Sequence, residues 1–69
     1  MNNNVNLTNR EYQICFLLCK GLDNFSIAQK LGISKFTVKE YLKTLFKKFN
    51  VANRAQLAYV LGKENIIEL

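Results

Sequence analysis

The stretch "SKFTVKEYLKTLFKKF", residues 34–49, decides the reading of this chain. Lysines stand at 35, 39, 43 and 47, with a fifth at 48, and Val, Tyr, Leu and Phe fill much of the space between them. On a helix turning about 100° per residue, Tyr41, Leu42, Leu45 and Phe49 fall within about 60° of Val38. Lys35, Lys39, Lys43 and Lys47 climb obliquely from about 60° to about 180° on the same wheel. Phe36 and Glu40 lie among them. The helix therefore has one apolar flank and one cationic flank. Its lysine row spans about 18 Å and suits a DNA major groove about 12 Å wide. A solvated helix face would carry the same pattern, so the neighbouring sequence has to decide.

The preceding segment does so. Ala28, Gly32 and Val38 have the spacing of a helix-turn-helix. Ala28 is small where a second helix crosses closely. Gly32 permits the positive φ of a tight turn. Val38 anchors the second helix to the first. The turn then holds the lysine-bearing helix proud of the body, where a groove can receive it.

Working outward, "TNRE" at 8–11 is a capping box that starts a first helix over about 9–20, and Gly21 suits its left-handed stop. Asp23 or Asn24 caps a second helix that turns Ile27, Ala28 and Leu31 inward. Ser34 caps the third, about 35–49, which Asn50 stops, and Val51 tucks inward after that stop. Asn53 caps a fourth, about 54–61, ended by Gly62. The tail "KENIIEL" forms a short turn or stays loose. With no proline and no run of β-alternation, the expected fold is all-α: a four-helix bundle with a helix-turn-helix in helices two and three. Residues 1–6 read as a flexible arm and 7–69 as one domain.

Composition bounds the function. The chain has 69 residues, 49% of them hydrophobic, and ten Lys+Arg against five Asp+Glu give a net charge of +5. A basic chain this short points to polyanions, nucleic acid first and anionic membrane second. No segment approaches the roughly 18 apolar residues of a membrane span, and "MNNNVN" is not a signal peptide, so the cytoplasm is expected, in association with the nucleoid. With no His and scattered acids, no catalytic set, metal site or cofactor site suggests itself, and no enzyme is expected. Cys15 and Cys19 lie four apart and read as small buried hydrophobes rather than a redox pair.

The residues "LTNRE" at 7–11, "GL" at 21–22, "IA" at 27–28, "L-G-IS" at 31–34, "TVK" at 37–39, "KKFNV" at 47–51 and "NRAQ" at 53–56 resemble the LuxR/GerE-type helix-turn-helix domains of bacterial transcription regulators. The resemblance covers residues 7 to about 61. It implies a sequence-specific, double-stranded-DNA-binding regulator with helix three in the major groove, working as a dimer on a two-fold site. Carried over by position, Lys39, Glu40 and Lys43 fall where bases are contacted, and Lys35, Phe36, Thr37 and Lys47 fall along the backbone-contact region. Helix four is the expected homodimer contact: of Leu57, Ala58, Tyr59 and Leu61 part must join the core, and the excess pairs across a two-fold axis. RNA polymerase or a partner regulator is a possible further partner, and no small-molecule ligand is implied.

Some positions depart from the family pattern. Tyr41 stands where His is common, Asn50 replaces a usual Gly, and Ser26 replaces a usual Glu. Phe16, Phe25 and Phe36 occupy positions that are commonly polar. Phe36 either presses a thymine methyl or leans on the protein's own surface. Phe16 and Phe25 form either an exposed apolar patch or two scattered surface residues. The resemblance also leaves open a stand-alone regulator, modestly favoured by the short arm, or an excised C-terminal domain. Two rival readings follow from the same residues. One is a protein-interaction module, an anti-regulator that keeps the fold but binds another transcription factor. The other is a basic amphipathic helix on a membrane surface, which the need for its apolar flank in the core argues against.

Overall fold

The structure, a computed structural model, describes residues 5–67. It contains α1 (Asn9–Cys19), α2 (Asn24–Leu31), α3 (Lys35–Phe49) and α4 (Arg54–Lys63), with no strand among the described residues. The expected all-α bundle is observed. Residues 1–4 of the expected arm and residues 68–69 of the tail lie outside the described residues.

All four helices begin in the same way. Thr8, Asp23, Ser34 and Asn53 sit in extended backbone, and each side chain accepts from the backbone N–H three residues on, at 3.1, 2.8, 3.0 and 2.9 Å. Each bond satisfies one of the donors that a helix start leaves unpaired. At α1 the box is complete, because Glu11 Oε1 accepts in return from the Thr8 N–H at 3.0 Å. Asp23 rather than Asn24 is the α2 cap. Its carboxyl is held below the usual range, chiefly by the Ser26 backbone N–H.

They also end in the same way. A left-handed residue, Gly21, Gly32, Asn50 or Asn65, is followed by an apolar one, Leu22, Ile33, Val51 or Ile66. The N–H of that apolar residue donates to the carbonyl five positions back, at 3.2, 3.1, 2.9 and 3.0 Å, and its side chain packs on the core. This is the Schellman stop with its hydrophobic contact. It corrects one expectation: Gly62 does not end α4. The helix runs through it to Lys63, and Asn65 (φ 57°) makes the turn. The tail consequently folds back, and Ile67 is buried.

The core is drawn from every element: Ile14, Cys15 and Leu18 of α1, Ile27 and Ala28 of α2, Val38, Leu42 and Leu45 of α3, Leu57 and Leu61 of α4, and Ile67. Both α1 and α3 pack against all three other helices. The starts of α2 and α4 are joined by Arg54, whose guanidinium donates to Asn24 Oδ1 at 3.0 Å and to the Leu22 carbonyl. Arg10 reaches the Leu31 carbonyl at 3.4 Å and ties α1 to the end of α2. Cys15 is fully buried, and burial pushes its thiol up to about 12, so it serves as a core side chain and not as a nucleophile.

Candidate nucleic-acid interface

The turn between α2 and α3 sets the interface. Gly32 has φ 70°, and a Cβ placed there would meet nothing within 4 Å, so backbone conformation and not space calls for glycine. Ser34 then starts α3. Its hydroxyl accepts from the Thr37 N–H and lies 3.0 Å from the Thr37 hydroxyl. One proton of that hydroxyl pair remains available to point outward.

From this start, Val38, Leu42 and Leu45 enter the core, while Tyr41 and Phe49 pack half-buried at its edge. The apolar flank read from the helical wheel is the flank that is buried. On the opposite flank Lys35, Lys39, Lys43 and Lys47 are all exposed, as is Glu40. Lys35, Lys39 and Lys47 form no ion pair among the described residues. Lys43 lies 3.5 Å from Glu40, with both side chains more than half exposed, a surface pair worth little in stability. Of the expected base-contacting residues, Lys39, Glu40 and Lys43 therefore share one open surface. Of the expected backbone-contacting residues, Lys35, Phe36 and Lys47 flank it, and Thr37 is half-buried beside its cap.

The fifth lysine behaves differently. Lys48 Nζ donates to Glu11 Oε1 at 2.7 Å and to the Asn6 carbonyl at 2.9 Å. Glu11 is the one buried charged residue among the described residues. Burial alone would raise its carboxyl. The Lys48 ammonium and the Thr8 N–H outweigh that effect and hold it below the ordinary carboxylate range. Lys48 thus belongs to the scaffold, where it fastens α3 to α1 and to the Asn6 backbone just ahead of it. Nothing in the sequence pairs residues 11 and 48, which lie far apart along the chain.

The structure narrows one expectation and decides between two readings left open. Leu57 and Leu61 have no exposed surface, so neither can meet a second copy; Ala58 is half-buried, and Tyr59, 65% exposed, is the member of that set that faces outward. Phe16 and Phe25 do not form one patch. Phe16 is half-buried against the core, with Lys20 Nζ 5.5 Å from its ring centre. Phe25, 58% exposed, instead lines a groove with Phe36, 68% exposed. Sequence reading missed both this groove and the role of Arg54 beside it.

Residues 5–61 match the family model GerE, described as bacterial regulatory proteins of the luxR family. The chain belongs to that family. It is 36% identical over 63 residues to the HTH-type transcriptional regulator MalT of Vibrio campbellii, covering 91% of this chain and 7% of that protein. It is 38% identical over 60 residues to the nitrate/nitrite response regulator protein NarL of Escherichia coli K12, covering 87% of this chain and 28% of that protein. With the probable transcriptional regulatory protein SgaR of Hyphomicrobium methylovorum it shares 47% of 49 residues, or 71% of this chain and 23% of that one. The chain thus spans less than a third of the length of these relatives. As a luxR-family helix-turn-helix domain it is a DNA-binding module of transcription regulation and not an enzyme. Among the described residues no helix is long and apolar enough to cross a membrane.

Proposed function

We propose that the protein is a sequence-specific regulator that lays α3 along the major groove of duplex DNA. The observation that carries this reading is the division of α3: three of its apolar side chains are locked in the core while four lysines stand exposed on the opposite flank. Lys39 and Lys43 reach base edges, where lysine most often chooses guanine O6 and N7. Glu40, turned away from phosphate by its charge, accepts from a cytosine amino group. Lys35 and Lys47 neutralise phosphates at the two ends of the row, and the Ser34–Thr37 hydroxyl pair offers a donor to the backbone.

A second copy meets this one through the outer face of α4, centred on Tyr59, which Lys63 Nζ approaches to 5.7 Å. Two copies related by a two-fold axis then place two α3 helices on a palindromic site. The protein acts in the cytoplasm on the chromosome, alone or as part of a longer regulator, and RNA polymerase or another regulator is the partner it would influence.

Selection of bound duplexes from a random pool, followed by sedimentation with and without the selected site, tests this reading. The expected result is an enriched two-fold motif and two chains per duplex. Recovery of no motif would sink sequence-specific reading. A single chain on a selected palindrome would retire the dimer. Absence of any shift on random DNA at low salt would instead favour a protein-docking module, the reading to which the exposed phenylalanines lend some support.

A further inference from the structure

Single exposed apolar side chains are ordinary, but two exposed phenylalanines sit together here. Phe25, near the start of α2, and Phe36, near the start of α3, line one open groove of about 650 Å³ with Lys35, Lys39, Asp23, Asn24 and Arg54. Each ring is more than half exposed, so neither completes the core. The groove is braced from behind. Arg54 binds Asn24 Oδ1 and the Leu22 carbonyl, and the Asp23 carboxylate is engaged by the Ser26 N–H, which together hold the start of α2 in place. Arg54 and Asn24 are thus partnered with each other, and the groove offers outward two rings flanked by two lysines, with the exposed Asp23 carboxylate, one oxygen of which accepts from the Ser26 N–H, at its α2 rim.

The groove also lies on the recognition helix, at the N-terminal end from which helices of this kind approach base edges. Phe36 has no donor to hold a phosphate oxygen. In the major groove the apolar feature available to it is the C5-methyl group of thymine. An anionic backbone beside an apolar methyl group complements two lysines beside two rings. We infer that Phe25 and Phe36 form a methyl-reading notch that selects thymine at one edge of the site. The inference rests on the proposed placement of α3 in the major groove. Phe36 precedes Lys43 by seven residues, about 10 Å along the helix, so the thymine lies about three base pairs from the base that Lys43 reads.

The test uses the full chain and a selected duplex in which each thymine is replaced in turn by deoxyuridine. This change removes one methyl group and leaves every hydrogen-bonding edge intact. Affinity is read by fluorescence anisotropy at several salt concentrations. Wild-type protein should lose about fourfold at one position per half-site and nothing elsewhere. Phe36→Ala should bind the thymine and deoxyuridine duplexes equally, with an unchanged slope of log K against log salt, and Phe36→Leu should restore the discrimination. Phe25→Ala should shrink the discrimination without abolishing binding. Site-specific binding with no deoxyuridine effect at any position would overturn the notch while leaving the groove reading of α3 intact. So would a deoxyuridine effect that survives Phe36→Ala. Loss of all site preference in the wild type would overturn both. The wild-type deoxyuridine series needs no variant, and the absence of any effect in it overturns the notch even if a substitution disturbs folding.

Discussion

Lys47 and Lys48 are neighbours in sequence, alike in chemistry, and opposite in use. Lys47 stands exposed at the end of the row on α3. Lys48, one position further round the helix, turns back to a buried carboxylate and to the carbonyl of Asn6. The contrast separates charge carried from charge available. Five lysines make α3 strongly cationic on paper, yet one of them is spent on architecture and four remain for a polyanion. Lys48 fixes the far end of α3 against α1, while the burial of Val38, Leu42 and Leu45 is what turns the other four outward.

The largest effect should come from removing what lies beneath both kinds of lysine. Leu45 is fully buried, and Leu45→Ala should lower unfolding stability by about 2–5 kcal/mol in urea titration. For a domain this small that approaches the whole of its stability, so DNA binding should vanish along with the helical signal.

Next comes the fastener. Lys48→Met keeps much of the aliphatic stem but leaves the Glu11 carboxylate buried with the Thr8 N–H and no cation. It should cost about 1–3 kcal/mol of stability, with the site-specific affinity of the folded fraction unchanged. The pH dependence sharpens this. In the wild type the Glu11 carboxyl is depressed, so its stabilisation is complete above the ordinary carboxylate range and is lost as pH falls through its folded value. Lys48→Met removes the strongest lowering influence and leaves burial to push the carboxyl upward. The stability gap between the two proteins, measured by urea titration at pH 7 and pH 3, should therefore narrow at the acid end. A constant gap would mean that Lys48 stabilises by packing alone.

On the free face the signs reverse. Lys43→Ala should leave unfolding within about 0.5 kcal/mol of wild type, since its contact with Glu40 is exposed. It should cost about 1–3 kcal/mol on the selected duplex and relax base preference at one position. A stability loss as large as that of Lys48→Met would erase the distinction between the two classes of lysine.

Much of this division can be read from residues alone. The buried flank of α3 follows from the spacing of Val38, Leu42 and Leu45, and the caps Thr8, Ser34 and Asn53 follow from side chains able to accept from the backbone. The choice between Asp23 and Asn24 was open because both residues can cap; the backbone settled it. Gly62 is a weaker stop than it looks because the residue after it, Lys63, lacks the apolar side chain whose contact frequently accompanies a left-handed stop. Asn65–Ile66 carries the pattern seen at Gly21–Leu22, Gly32–Ile33 and Asn50–Val51, and it was the better signal. The core positions Leu57 and Leu61 were also legible: four apart, they share a face, and Tyr59 between them must point away. The Glu11–Lys48 pair and the Phe25–Phe36 groove were not legible. Each joins residues brought together by the packing of separate helices, and no periodicity within one helix reports such a meeting.

The central claim is that four exposed lysines of α3 supply the electrostatic grip on duplex DNA. The most direct measurement is the salt dependence of binding for wild type and for the combined Lys35→Ala, Lys39→Ala, Lys43→Ala, Lys47→Ala protein, with helicity followed alongside. Each phosphate neutralised contributes about 0.9 to the slope of log K against log salt, so removing the row should flatten the slope by up to about 3.6 with the fold intact. An unchanged slope in a folded variant would contradict the account.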